Sequence, residues 1–241
     1  MGVIDELQAI IDESKSLVFF GGAGVSTESG IPDFRSGDGL YKEKYPYLPE
    51  VMVSHSFFVS HTEEFFDYYR KAFLYPDKKP NAAHIKLAEL ERAGKLQAVV
   101  TQNVDGFHTM AGSKRVFELH GSVHRNYCMK CGRLYDAEFI LNSIGVPKCE
   151  CGGIVKPYGV LYEEGLDEAV LSGAVKAISA ADAMIVAGTS LTVYPAAGLL
   201  RYFGGKSLVL INRDSTPYDG DADLVIREKV GEILSKVSVN D

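Results

Sequence analysis

Apolar runs punctuate the chain and alternate with segments of helical period. The runs Ser16–Phe20, Leu96–Val100, Met184–Ala187, Leu208–Ile211 and the shorter Asp223–Ile226 are short and almost wholly apolar. Runs of that length without polar alternation predict strands buried on both faces. Between them apolar positions return every three or four residues. Val3, Leu7, Ile10 and Ile11 set against Asp5, Glu6 and Glu13 predict a helix over 3–15. A second is predicted from Pro80 to about Arg92, with Pro80 near its first turn and Gly94 just past its end. Others are predicted over 167–180 and from about Lys229, and Val160–Tyr162 reads as one more short strand. Repeated strand–helix alternation predicts an α/β fold, a doubly wound parallel sheet of Rossmann type.

Two stretches break the alternation. From Leu40 to Tyr75 aromatic residues crowd, and the spacing of Phe65, Phe66 and Tyr69 suits a helix. The stretch 36–75 is therefore read as a small helical insertion whose rings pack on one another. In 123–157 all four cysteines fall in two pairs, Cys128 with Cys131 and Cys149 with Cys151. Each pair ends in glycine, Gly132 or Gly152, which permits the tight turn of a zinc knuckle. Four thiolates leave no open coordination position, so the expected ion is one structural Zn2+. A redox dithiol would need a thioredoxin-like context that Cys128 lacks. The sheet is thus assigned to 1–35, 76–122 and 158–241, with the insertions at 36–75 and 123–157.

Composition narrows the setting. Hydrophobic residues at 46% and charged residues at 24% are ordinary for a globular domain of 241 residues. No apolar run approaches the roughly 20 residues that span a bilayer. The N-terminus carries no basic stretch ahead of an apolar one, and Glu6 stands where a myristoylation signal needs Ser or Thr. A cytoplasmic protein without membrane attachment is expected. A net charge of −7 argues against a nucleic-acid binder. Arg125, Lys130 and Arg133 near the cysteines read as a solvated face.

Polar signals gather where the predicted strands end. Ser16–Phe20 runs into Gly21-Gly22-Ala23-Gly24-Val25-Ser26, where a Rossmann sheet brings backbone N–H groups to a pyrophosphate. Thr27 stands where the third glycine of that fingerprint would be, so an ordinary tight turn stays open. Pro32 stiffens the next loop, and Phe34 and Arg35 offer an aromatic wall and a positive fork. Leu96–Val100 delivers Gln102, Asn103 and Asp105, which suit either a reader of sugar hydroxyls and amides or a polar turn. His84 is read as structural. His120 carries the side chain best suited to general-base work near neutral pH, and packing is its alternative.

Taken together these motifs resemble the sirtuins, the Sir2-type NAD-dependent protein lysine deacylases. The resemblance rests on Gly22-Ala23-Gly24-Val25-Ser26, Gly30–Arg35, Pro80-Asn81-Ala82-Ala83-His84, Thr101-Gln102-Asn103-Val104-Asp105, His120-Gly121, the four cysteines, Gly188-Thr189-Ser190 and Ile211-Asn212 in that order. It implies NAD as co-substrate and an acyl-lysine protein or peptide as partner, meeting in a cleft between the sheet and the zinc module. Ala23, Gly24 and Thr27 would sit by the pyrophosphate, and Phe34 and Arg35 in the cofactor-binding loop. Gln102, Asn103, Val104 and Asp105 would line the nicotinamide and ribose pocket, and Gly188, Thr189, Ser190 and Asn212 the adenosine half. Gly159, Val160 and Leu161 would meet the substrate. His120, Asn103 and Asp105 would serve catalysis, His120 taking a proton from a ribose hydroxyl after the acyl oxygen has attacked C1′ and displaced nicotinamide. Protein ADP-ribosyl transfer and a non-catalytic NAD or ADP-ribose sensor are the rival activities.

Two features depart from the family pattern. Where sirtuins carry Arg-Pro-Asp-Val-Val or a close variant, this chain has Lys156-Pro157-Tyr158-Gly159-Val160. Both Tyr158 and Gly159 are expected to face the cleft and to alter acyl preference. The Tyr-x-x-Arg pair of relatives that remove succinyl or malonyl groups aligns with Phe66 and Tyr69, with Arg70 close by. No pattern specifies the substrate protein or an oligomeric state.

Overall fold

The computed structural model describes residues 2–34 and 45–239. Arg35 and the start of the aromatic stretch, Leu40 and Tyr41 included, lie outside the described residues. Among the described residues nine strands form, in chain order: β1 Leu17–Gly21, β2 Leu96–Thr101, β3 Val116–Glu118, β4 Gly121–Cys128, β5 Leu134–Tyr135, β6 Val155–Gly159, β7 Ala183–Ala187, β8 Ser207–Ile211 and β9 Leu224–Ile226. Six make one sheet in the order β3-β2-β1-β7-β8-β9, paired in parallel throughout. This is the Rossmann-like doubly wound fold expected from the alternation.

The apolar runs become central strands because both faces of the sheet are covered. Phe19 points into a core with Leu7 and Ile11 of helix Val3–Glu13, Leu87 and Leu90 of helix Ala82–Arg92, and Ile233 of helix Val230–Leu234. Its neighbours Val18 and Phe20 point the other way, against Ala174 and Ile178 of helix Glu168–Ala180 and Leu199 of the 3-10 segment Ala196–Tyr202. Successive side chains of a strand alternate faces, so a strand covered twice must be apolar at every position. Two of these helices start on side-chain caps: Asn81 accepts from the Ala83 N–H, and Asp167 from those of Ala169 and Val170. No described helix is long and apolar enough to cross a membrane.

The two insertions share a single core. Strands β5, β4 and β6 form a small antiparallel sheet. Its Val123 and Val155 pack with Ile140 of helix Ala137–Asn142 and with Phe58, Phe65 and Phe66 of helices His55–Ser60 and Thr62–Phe73. The rings meet edge to face, Phe58 and Phe65 at 5.0 Å between centroids and Phe65 and Phe66 at 5.2 Å. Burial of such a ring contributes about 1.5–3 kcal/mol. Phe58, Phe65 and Phe66 are thus packing, as the spacing suggests.

Val160–Tyr162 is not a strand: β6 stops at Gly159, and Tyr162 makes only an isolated bridge to Ser54. The Leu161 N–H goes instead to the Glu164 carboxylate at 3.0 Å, and Glu163 turns the chain with φ 77°. Strands β3, β4 and β5 carry no long apolar run, and helix Ala137–Asn142 holds only Phe139-Ile140-Leu141, too short to show a helical period. The first helix ends at Glu13, where Ser14 turns extended and its hydroxyl donates to the Ile11 carbonyl at 2.9 Å.

Candidate active site

Strand order reverses direction between β1 and β7, and in open α/β sheets ligands bind beyond the carboxyl ends of strands at such a point. The loops that follow β1 and β7 touch there. The Gly24 N–H donates to the Gly188 carbonyl at 2.8 Å. A Cβ on Gly188, whose φ is 59°, would lie 2.4 Å from the Val25 nitrogen, and one on Gly24 2.7 Å from the Gly188 Cα. Only two glycines let these backbones approach so closely, leaving a wall of main chain suited to a dinucleotide's pyrophosphate.

A cleft of about 340 Å³ opens over this junction. From the end of β1 it receives Ala23, Gly24, Thr27 and Phe34, and from the end of β2 Gln102, Asn103, Val104 and Asp105. The loops after β7 and β8 add Gly188, Thr189, Ser190 and Asn212, and the far wall carries His120, Gly159, Val160 and Leu161. Every described residue assigned from sequence to the cofactor, the base or the substrate thus reaches one cavity.

Hydrogen bonds order the polar residues of its floor. The Ser26 hydroxyl donates to Asp105 Oδ2 at 2.6 Å and accepts from Asn103 Nδ2 at 3.1 Å. Asp105 Oδ1 accepts from the Phe107 N–H at 2.9 Å. Burial raises the Asp105 pKa, and the bonds from Ser26 and Phe107 and the nearby His124 only partly oppose it. Gln102 Nε2 donates to Thr189 Oγ1 at 3.3 Å, joining the loops after β2 and β7. Ser26 of the glycine-rich motif thus orders this floor, and its signal in the sequence is a hydroxyl two residues beyond Gly24.

His120 sits where β2, β4 and β6 converge. Its Nδ1 lies 2.9 Å from the Gln102 carbonyl oxygen, which can only accept. Nδ1 therefore carries the proton, and Nε2 is left with its lone pair. Burial lowers the His120 pKa, more than the Gln102 hydrogen bond raises it. The imidazole is held neutral in one tautomer, the state a general base needs.

The cysteines gather at the other end of the small sheet, and none lines the cleft. All four Sγ atoms lie within 4.8 Å of one another, with Cys128 and Cys151 at 3.5 Å and Cys131 and Cys149 at 3.6 Å. A disulfide would require about 2.05 Å. A tetrahedral zinc with sulfurs at about 2.3 Å sets them about 3.8 Å apart, so the cluster fits that ion. Gly132 and Gly152 take left-handed φ values of 73° and 80°, as the knuckle turns require. Strand β4 runs from the residue after His120 to Cys128, so the metal site anchors the far end of the strand that begins beside the imidazole.

A model of the Sir2 family matches residues 22–195. The chain belongs to the Sir2 family. Relatives include proteins named NAD-dependent protein deacetylase from Clostridium acetobutylicum, 61% identical over 238 residues with 97% of each chain covered, and from Clostridium perfringens, 62% identical with 97% and 98% covered. Among solved structures, a Sir2–p53 peptide–NAD+ complex superposes with a TM-score of 0.86 at 41% identity, covering 97% of this chain and 96% of that one.

Within this Sir2 framework both departures take physical form. Tyr158 does not line the cleft, contrary to expectation. Strand alternation turns it to the opposite face from Gly159, where its hydroxyl donates to Asp167 at 3.4 Å and its ring lies 6.1 Å from Tyr127 and 5.5 Å from the Arg125 guanidinium. Arg70 is turned away from the cleft as well. It donates to the Ile140 carbonyl and the Ser143 hydroxyl, each at 3.0 Å, and to the Gly145 carbonyl.

Proposed function

We propose that this protein removes acyl groups, acetyl foremost, from protein lysine side chains in an NAD-dependent reaction that yields nicotinamide, O-acyl-ADP-ribose and free lysine. The observation that carries this is His120, neutral, held by Gln102 as the Nδ1–H tautomer, in the same cleft as the dinucleotide-type junction of Gly24 and Gly188. Bound NAD supplies a ribose carbon made electrophilic by departure of nicotinamide.

The chain's residues do the rest. Ala23, Gly24 and Thr27 would hold the pyrophosphate, and Phe34 and Arg35 would belong to the cofactor-binding loop. Gln102, Asn103, Val104 and Asp105 would hold the nicotinamide and its ribose, their orientation fixed through Ser26. Gly188, Thr189, Ser190 and Asn212 would hold the adenosine half. Gly159, Val160 and Leu161 would receive the acyl-lysine peptide. His120 Nε2 would accept a proton from a hydroxyl presented to it, while the Gln102 carbonyl stabilises the Nδ1–H side of the imidazolium that forms. A cleft closed between the sheet domain, 1–35, 76–122 and 158–241, and the modules at 36–75 and 123–157 keeps water from the reacting centre. Cys128, Cys131, Cys149 and Cys151 would hold one structural Zn2+. A cytoplasmic setting goes with this reading, because a four-thiolate site needs reduced cysteines.

Mass spectrometry of products from NAD and an acetyl-lysine peptide is the test. Deacetylated peptide, nicotinamide and O-acetyl-ADP-ribose are expected, with His120→Ala lowering turnover about 10²–10⁴-fold while still binding NAD. ADP-ribosylated protein without deacylated peptide would overturn the assignment.

A further inference from the structure

Gly159 has no evident structural reason to be glycine. Its φ lies outside the left-handed region, so any side chain could follow its backbone. A Cβ built on it meets nothing nearer than the His120 carbonyl oxygen at 3.9 Å. The glycine it pairs with across the small sheet shows the contrast: Gly121 has φ 76°, and a Cβ there would strike the Tyr158 carbonyl oxygen at 1.9 Å. Glycine within a strand weakens it, so the fold gains nothing from this choice at 159. What the choice leaves is a side chain's worth of empty space in the cleft wall, next to the residue that carries the imidazole.

The surroundings say what fits. On the small-lobe side the cleft is walled by Val53, Tyr69, Ala72, Phe73 and Leu161. No lysine or arginine from that lobe lines it among the described residues, Arg70 being bound to the 140–145 turn. Glu163 and Glu164 reach the same wall. A carboxylate-bearing acyl group would find no lysine or arginine lining that wall, the Lys156 ammonium behind Gly159 being taken up by Glu164 at 3.1 Å, whereas an apolar one would find apolar partners.

We propose that Gly159 sets the girth of the acyl pocket, so that neutral, apolar acyl groups bulkier than acetyl are accepted as readily as acetyl itself. This rests on the deacylase reading above. The test compares kcat/KM on one peptide carrying acetyl-, butyryl-, isovaleryl- or succinyl-lysine, in wild type, Gly159→Ala and Gly159→Val, with NAD affinity and Tm measured for each. Gly159→Val is expected to lower the butyryl-to-acetyl and isovaleryl-to-acetyl ratios about tenfold or more, as loss of room for one or two methylenes does in an apolar pocket, with Gly159→Ala between. Succinyl should be the poorest substrate in all three. Ratios that do not fall in a Gly159→Val protein of unaltered NAD affinity and Tm overturn the proposal and leave the deacylase reading standing. Absence of NAD-dependent deacylation of any peptide by wild type removes both.

Discussion

His120 and His84 are both withdrawn from water, and their neighbours give them opposite uses. His120 has a carbonyl to hold one nitrogen and a cleft to receive the other. His84 is fully buried against His108, ring centroids 4.7 Å apart, and among the described residues His84 Nε2 and both His108 nitrogens have no hydrogen-bond partner. Burial lowers the His84 pKa to about 4, and burial, reinforced by His84, takes His108 well below its ordinary value. At His84 the unfolded chain binds a proton below about pH 6.5 that the folded one refuses until near 4, and His108 is shifted in the same direction. Stability from this pair is therefore complete above about 6.5 and is lost as pH falls toward 4. For His84 alone that is about 3 kcal/mol. Tm measured from pH 7 to 4.5 should fall steeply, and His84→Gln should flatten the slope whatever it does to Tm at neutral pH; an unchanged slope would refute this. Residue type alone did not separate the two histidines. His84 was legible as structural because it sits in a predicted helix start, His120 as functional only through the ordered motifs around it.

Among the elements, the end of β6 shows best what local pattern conveys and what it does not. Lys156 is buried at 5% exposure, its ammonium 3.1 Å from Glu164 Oε2 and 5.9 Å from the Phe58 ring. The other Glu164 oxygen lies 2.9 Å from His55 Nδ1. One carboxylate thus ties the strand, the turn after it and the start of helix His55–Ser60. Burial pushes the Glu164 pKa up, but the Leu161 N–H, His55 and Lys156 together outweigh it and hold it low. Glu164→Ala would leave the Lys156 charge buried and unpaired and should destabilise the protein by about 3–5 kcal/mol in urea unfolding, with Lys156→Met in the same chain recovering much of the loss. A loss under about 1 kcal/mol would mean Lys156 finds another partner. The apolar letters of Val160–Tyr162 suggested a strand because hydrophobicity is local, while the carboxylate that captures the Leu161 N–H lies beyond the window. β4 was illegible for a related reason: its burial alternates irregularly along Gly121–Cys128, and its partner β6 is distant in sequence. Central strands β1 and β7, and β8 over Val209–Ile211, were legible because coverage on both faces forces those positions to be apolar.

At the scale of the molecule, the large sheet and its ligand junction follow from strand order and could be anticipated. The fusion of the aromatic helices with the cysteine module into one core could not, since nothing in either segment refers to the other. That fusion makes the metal site a support for the whole small lobe. Stripping zinc with a chelator should raise hydrogen exchange across 123–157 and abolish turnover, while amides of the six-stranded sheet stay protected. Retained turnover in metal-free protein would contradict this.

The shared core has a mechanical consequence. Each lobe has its own packed interior, so the cleft can widen only by bending where the chain passes between them. Leu119 belongs to the large-sheet core and Val123 to the small-lobe core, and Leu74 and Ala83 bracket another passage. His120 therefore lies on the passage between the two cores, where a bend would move it least. The jaws can part to admit a lysine from a bulky protein surface while the imidazole keeps its hold on the Gln102 carbonyl.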